Sequence, residues 1–370
     1  MPRTESATPS GRALTLISRL LLMPRNATAA YSAVEELKAQ IASQGRDDFD
    51  ALLALAQSNH VIVRGLEAFL ALAREAQDEE QASWARASLA AERSRIEIAT
   101  HFLHEICAAF EENKLNVMVI KSLDHWPDLG SDLDLFTDAD AEQVIQLMHR
   151  RFGAEIEQRS WGDRLAHKWN FHVPGLPESV EIHVGRLGQT GEQSAFAACL
   201  LGRSVHVLRG GYSFRVPCSS DRITISTLQR MYRHFYFRLC DVIDTAALAG
   251  TGSLDYDDLL ASAQAAGIWE GVATYLAIVS DYLKTHRGSG LDLPSFVTEA
   301  ARFGGNAIFY GAGFLRVPIL PESVRLYGSQ LAGVLGRGEI ASGARLSLLP
   351  WLATAAVLGQ KLTGSDKGIW

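Results

Sequence analysis

The sequence predicts an α+β protein in which a small mixed-sheet domain is inserted between mainly helical N- and C-terminal modules. Three observations predict it. From 29 to 95 the chain is rich in Ala, Leu, Glu, Gln and Arg, and apolar residues recur at helical spacing, as in Leu52, Leu53, Ala56, then Val61, Val63, Leu66 and Phe69. From 96 to 190 a helix is followed by short β-branched runs with turn residues between them. From 191 to 370 a few strand-like pieces, such as Ser204 to Leu208 and Tyr212 to Val216, give way to a second helical region from Asp221 onward.

Residues 1–28 read as a loose tail, over about 1–11, followed by an amphipathic helix at Ala13 to Met23 that Arg19 interrupts. In the middle region, Ile96 to Asn113 predicts a helix with the stripe Ile98, Phe102, Ile106 and Phe110. Asn116 to Lys121 is too short and too β-branched for a helix and predicts a strand, as does Asp132 to Phe136. Thr137-Asp-Ala-Asp140 offers N-cap residues for a helix from Ala141 to Phe152. Trp169 to Val173 and Ser179 to Val184, separated by Pro174-Gly175-Leu176-Pro177, predict a hairpin. The apolar run Leu346 to Leu358 has the length of a buried helix.

Composition removes several function classes. With 35 Lys+Arg against 42 Asp+Glu the net charge is -7, so no global basic field exists to hold a nucleic-acid backbone. The four cysteines form no C-x-x-C pair, which disfavours a zinc or redox motif and points to a reducing, cytoplasmic compartment. No segment reaches the ~20 uninterrupted apolar residues of a membrane span.

The chemistry gathers in the middle strands. Side chains at i and i+2 share a face about 6.6 Å apart along a strand, so Asp132 and Asp134 face together while Leu133 and Leu135 face a core. The same parity pairs Glu181 with His183. If the two strands are neighbours, three carboxylates converge. Such a group persists only when protonated, paired with cations or holding a metal. Oxygen ligands of this kind suit Mg2+ or Mn2+, and two such ions ~3.5–4 Å apart can activate one oxygen and stabilise another. Asp-x-Asp alone is weak, since 42 acids in 370 residues place an acid at roughly one position in nine by chance. The weight comes from upstream: an apolar strand ends at Lys121-Ser122, nine residues intervene, and Gly130-Ser131 immediately precedes the pair. Small residues there would leave backbone N–H groups for phosphates.

Val119-Ile120-Lys121-Ser122, then Asp132-Leu133-Asp134-Leu135, then Val180-Glu181-Ile182-His183 resemble the nucleotidyltransferases related to DNA polymerase beta. More narrowly, the chain resembles the uncharacterised nucleotidyltransferase family of bacteria, over about 45–285. The resemblance implies transfer of a nucleoside monophosphate from an NTP, ATP among the candidates, with Asp132, Asp134 and Glu181 as catalytic carboxylates and ligands of Mg2+ or Mn2+. It further implies nucleotide binding by Lys121, Ser122, Gly130 and Ser131. His183, Lys168 and His172 lie where they would meet the acceptor or support the carboxylates, the acceptor being a small molecule, peptide or protein rather than nucleic acid or membrane. Two features depart from the family pattern. Lys121-Ser122 replaces the usual Gly-Gly or Gly-Ser turn, and the narrower family's Lys-Gly. Trp126-Pro127-Asp128-Leu129 stands where members often carry an Arg.

Further candidates have ordinary structural readings beside functional ones. His101, His104 and Glu105 share a helical face and could hold a metal or be plain surface. His167, Lys168, Asn170 and His172 form a basic patch. Arg230, His234, Arg238 and Asp241 form a stripe that could grip a substrate or join modules through ion pairs. The functional expectation is a metal-dependent nucleotidyltransferase; the alternatives are a catalytically degenerate copy acting as a nucleotide- or protein-binding module, and a metal-dependent phosphoesterase.

Overall fold

The computed structural model describes residues 9–24, 26–250, 252 and 254–352. Five helices open the chain: α1 (Pro9–Leu21), α2 (Ala27–Ala42), α3 (Arg46–Ser58), α4 (Ile62–Glu75) and α5 (Glu79–Glu112). Residues 9–11, expected in a loose tail, already belong to α1, whose Leu14, Leu16, Ile17 and Leu20 are buried against α3 and α4. The side chain of Asn26 caps α2 by accepting from the N–H groups of Thr28 and Ala29, and Asp78 caps α5 through Gln81. The helix expected at 96–113 is the C-terminal half of α5, which runs unbroken through 95 and 96. Its buried stripe is Ile96, Ala99, Leu103, Ile106 and Phe110; Ile98, expected in that stripe, is exposed. The stripe is rotated by one residue because α5 packs chiefly against α4, with α6 (Ala141–Phe152) and β7 (Tyr212–Pro217) beside it.

The central sheet has the order β1-β2-β5-β4-β3, built from β1 (Met118–Val119), β2 (Asp132–Thr137), β3 (Glu155–Ile156), β4 (Lys168–His172) and β5 (Ser179–Val184). Between them lie α6 (Ala141–Phe152) and the short α7 (Trp161–Leu165). The sheet is mixed: β2 runs parallel to β5, while β4 and β5 form the expected antiparallel hairpin. Helix α6 has the expected bounds because Asp140 accepts from Glu142 N–H and Gln143 reciprocates to Asp140 N–H, closing a capping box. Gly153, at φ 59°, ends it with a left-handed cap.

Beyond the sheet come α8 (Ser194–Leu200) and a two-stranded ribbon, β6 (Ser204–Arg209) with β7 (Tyr212–Pro217), turned by Gly210-Gly211 at φ 55° and 85°. Positive φ at both centres is what a two-residue hairpin turn requires. The helical region follows as α9 (Ser219–Gln229), a π-helical turn at Arg230–His234, β8 (Tyr236–Phe237), α10 (Leu239–Gly250), α11 (Tyr256–Ala265), α12 (Trp269–Arg287) and α13 (Ser295–Ala300). Strand β10 (Phe314–Arg316) pairs with both β8 and β9 (Phe309–Gly311) in a small sheet that the sequence did not reveal. Helices α14 (Val324–Gly336) and α15 (Ile340–Leu346) complete the described chain. The run 346–358 is only partly described: Leu346 is buried, whereas Leu348 and Trp351 are exposed, so the described part is not a buried helix, and 353–358 lie outside the described residues. Among the described residues no helix is long and apolar enough to cross a membrane.

A buried ion-pair chain ties these regions together. Asp128, in the β1–β2 connection, accepts from Val63 N–H (2.6 Å) and Arg64 Nε (2.7 Å) at the start of α4. Arg64 Nη1 continues to Asp244 of α10 (2.6 Å), and the other Asp244 oxygen meets His125 Nδ1 at 2.6 Å. Removing one member leaves the others buried and uncompensated, which typically costs about 3–5 kcal/mol. Asp128→Ala is accordingly expected to lower the unfolding free energy by about 3 kcal/mol, read as a reduced urea midpoint with an unchanged m-value. A loss below about 1 kcal/mol would show that the chain does not hold these regions together.

Candidate active site

The parallel pairing of β2 and β5 sets Asp134 directly opposite Glu181 and Asp132 opposite Ser179. Alternation then does the rest. Leu133, Leu135, Val180 and Ile182 are fully buried on one face, and Asp132, Asp134 and Glu181 occupy the other. These three acids line a cleft of about 160 Å³ whose far wall is Gln229, Arg230, Arg233, His234 and Arg238, with His60 and His125 closing one side.

Glu181 is held by three cationic or donor groups. Lys168 Nζ lies 2.8 Å from Oε2 and also 2.8 Å from Asp163; His183 Nε2 lies 2.8 Å from Oε1; Lys121 Nζ lies 3.5 Å from Oε1 and pairs closely with Asp134. Burial alone would raise the Glu181 pKa, but Lys121, His183 and Lys168 together hold it well below the usual carboxylate range. Asp132 is the opposite case. Burial, Asp134 and Glu181 push its pKa up, and a single long bond from Ser131 Oγ (3.4 Å) supports the carboxylate. It is the least compensated of the three acids, and a cation brought to the Asp132–Asp134 rim would relieve that repulsion. The all-oxygen rim suits a hard divalent ion, provided that Lys121 Nζ yields its place beside Asp134.

The Lys121-Ser122 turn is built differently from the expectation. Lys121 has φ 65°, and Ser122 N–H donates to Ile120 C=O at 2.7 Å, which is a γ-turn. The Ser122 hydroxyl donates to Asp132 C=O (3.2 Å) and accepts from Asp134 N–H (2.7 Å). Both Ser122 donors are therefore committed within the protein, and the residue pins β2 rather than presenting a free N–H to phosphate. Gly130 and Ser131 do line the cleft. An added Cβ at Gly130 would come within 3.1 Å of the His60 ring, so the glycine lets β2 approach that ring closely.

The remaining candidates separate. Lys168 lies under Glu181, whereas His172 is exposed at the other end of β4, opposite Glu155 of the outer strand β3. His167 is exposed, with its carbonyl accepting from Val184 N–H. His104 stacks on Tyr212 at 4.3 Å and His101 Nδ1 lies 3.3 Å from the Tyr212 hydroxyl, so that face packs on the β6–β7 ribbon. Arg230 is buried and pairs with Asp241 at 2.7 Å, the ion-pair reading of the stripe. Arg238 and His234 face the cleft; burial, then Arg233, Arg230 and Arg238, lower the His234 pKa to about 2 and keep that imidazole neutral.

Sequence reasoning missed His60, His125 and Arg233 as cleft residues. Arg233 and Lys121 also border a smaller, more apolar recess of about 40 Å³, lined by Ile120, Leu187, Ile225, Leu228 and Tyr232 together with His183, whose buried Nδ1 has no partner among the described residues. Arg233 lies in the π-helical turn, a feature that often marks functional sites and that is not visible in sequence. Where family members carry an Arg just before the Asp pair, Arg95 of α5 reaches in from a distance to the carbonyls of Leu129 (3.1 Å) and Gly130 (3.3 Å).

No curated protein matches the chain. A match does come from a family described as uncharacterised nucleotidyltransferase, over residues 45–284, which take in α4 and α5, the whole central sheet and α9 to α11. Spanning well over half of the sequence and the complete acid-lined cleft, that match means that the chain belongs to the uncharacterised nucleotidyltransferase family.

Proposed function

We propose that the protein is a Mg2+- or Mn2+-dependent nucleotidyltransferase that moves a nucleoside monophosphate from an NTP to a hydroxyl-bearing acceptor. The observation that carries this reading is one cleft with two opposed walls: the carboxylates of Asp132, Asp134 and Glu181 on one, and the guanidinium groups of Arg233 and Arg238 on the other. A divalent ion held by Asp132 and Asp134, with Glu181 behind them, would neutralise phosphate charge and lower the pKa of an attacking oxygen. Arg233, which no carboxylate pairs among the described residues, and Lys121 are the cations nearest to hand for a triphosphate. His183 is oriented by Glu181 and borders the apolar recess, where it can accept from the acceptor hydroxyl through Nδ1. The neutral His234 offers a hydrogen bond without adding repulsion to the wall.

The acceptor is a small molecule, a peptide or a protein side chain; the net charge of -7 disfavours a nucleic acid. Four free cysteines suit a cytoplasmic protein. One observation favours a second reading, a degenerate nucleotide- or protein-binding module: Lys121 already pairs with Asp134 and Glu181, and the Ser122 N–H is committed.

Pyrophosphate release and self-labelling from each NTP with Mg2+ or Mn2+ decide between the two. On the enzymatic reading, Asp132→Asn and Asp134→Asn each lose about 10²–10³-fold or more in turnover, and Arg233→Ala raises the NTP KM about tenfold with a smaller change in kcat. No NTP binding at millimolar concentration with either metal would end the enzymatic reading and leave a protein-binding module, whereas NTP binding without turnover would point to a missing acceptor.

Lys121→Met separates the two roles of that side chain. Without Nζ to compete, Mn2+ is expected to bind more tightly in the absence of nucleotide, while turnover falls because the triphosphate loses a partner. Titration calorimetry with Mn2+ alone checks the first half; an unchanged affinity would mean that Lys121 does not occupy the cation's place.

Cation binding should also depend on pH in a defined direction. Because the Asp132 pKa is raised, protons compete for that carboxylate at higher pH than for an ordinary Asp, so Mn2+ affinity falls as pH drops from neutrality through that raised pKa. The acid-side loss should flatten in Asp132→Asn; a wild-type profile flat down to the ordinary Asp range would contradict it.

A further inference from the structure

We infer that His60, His125 and Cys240 form a binding site for a borderline-soft divalent ion of the Zn2+ class, distinct from the carboxylate rim, that clips three separate chain segments together at the side of the cleft. One donor atom from each residue lies within 4.8 Å of the other two. His60 comes from the α3–α4 junction, His125 from the β1–β2 connection and Cys240 from the first turn of α10. The Cys240 Sγ to His125 Nε2 distance is 3.7 Å. Zinc bonds of about 2.3 Å to sulfur and 2.0–2.1 Å to nitrogen, at a tetrahedral angle, call for about 3.5 Å between those donors.

The surroundings are those of an oriented ligand rather than a chance contact. His125 Nδ1 meets the Asp244 carboxylate at 2.6 Å, which keeps a proton on Nδ1 and turns Nε2 toward Cys240, where a metal ion would take the place of the protons on Nε2 and Sγ. Asp244 is itself fixed by Arg64, and Arg64 by Asp128, so the ring is anchored through the chain that joins α4 to α10. With those protons released, a thiolate and two neutral imidazoles would give a soft N/S donor set, unlike the oxygen rim of Asp132 and Asp134, so the two positions would select different ions. His60 and His125 both border the cleft, which leaves the fourth coordination position to water or to a phosphate oxygen. One contact has to give way: Arg238 Nη1 lies 3.4 Å from His60 Nδ1, a guanidinium only donates, and a neutral imidazole has a single lone pair. Ligation by His60 therefore releases Arg238 toward the cleft.

The site does not rest on the nucleotidyl-transfer reading, and its test reads metal directly. Full-length protein stripped with chelator and titrated with Co2+ is expected to take up one equivalent with a thiolate-to-cobalt charge-transfer band and tetrahedral d–d intensity, reversed by Zn2+. Asp134→Asn should keep the band, whereas Cys240→Ser should lose it. His60→Ala, a change at the cleft side with less risk to folding, should weaken Co2+ binding at least tenfold; circular dichroism checks that each variant is folded, and His60→Ala decides if Cys240→Ser is not. Absence of a thiolate band in folded wild type, or its persistence in Cys240→Ser, overturns the proposal.

Discussion

The burial of Glu181 is the constraint around which the rest of the molecule is arranged. A carboxylate in the middle strand of a five-stranded sheet, directly opposite Asp134, is stable only because Lys121, Lys168 and His183 converge on it. Each of those three comes from a different local device. Lys168 comes from the neighbouring strand of the hairpin, two positions along from Asn170, which pairs with Glu181. His183 shares the strand face by i, i+2 parity. Lys121 reaches in because the γ-turn places a non-glycine residue at positive φ. Compensation stops one step short of Asp132, so the rim is not a neutral ion-pair cluster: its outer carboxylate is left with the repulsion of Asp134 and Glu181.

The helical regions matter because the sheet supplies only one wall. The cationic wall belongs to the segment from Arg230 to Arg238, and its position depends on the buried Arg230–Asp241 pair and on Arg238 N–H capping Asp241 at 2.7 Å. On the other side, α4 is tied to the β1–β2 connection and to α10 through Asp128, Arg64 and Asp244. The cleft is thus bounded by groups whose mutual distances are set by buried charges, which have few alternative arrangements once desolvated. Apolar packing could bring the same helices together, but it would fix the guanidinium positions less tightly.

What was legible in the sequence follows from the range of each interaction. Helix α6 was readable to the residue because its start and end are determined by Asp140, Gln143 and Gly153, all within a few positions. The shared face of Asp132 and Asp134, and of Glu181 and His183, followed from strand parity, a purely local rule. The apolar stripe of α5 was misplaced because both candidate stripes are apolar and only its tertiary neighbours, α4 above all, choose between them. The small sheet of β8, β10 and β9 was invisible because two- and three-residue strands carry too little periodicity, and the partners β8 and β10 lie far apart in sequence. His60 entered the cleft through tertiary folding alone. Ser122 looked like a phosphate-binding residue because small residues after a strand often are, whereas here its hydroxyl replaces a missing backbone contact of β2.

A protein with net charge -7 can still present a site for a polyphosphate, because the field that matters is local. In the cleft, Arg233 and Arg238 face the ligand space with no carboxylate partner for either guanidinium among the described residues, while Arg230 and Arg64 next to them are neutralised by Asp241, Asp128 and Asp244. The excess acidity of the chain sits elsewhere on its surface, where water and salt screen it within roughly 8–10 Å. Inside the cleft the low-dielectric walls leave the Arg233 and Arg238 guanidinium groups poorly screened, while Lys121 is already paired with Asp134 and Glu181 on the opposite wall. A ligand carrying phosphates and a divalent ion is complementary to both walls at once; a polyanion without the ion meets repulsion from Asp132. On the proposed reading, the same arrangement would favour a metal–triphosphate complex over bare anions and over an extended nucleic-acid backbone.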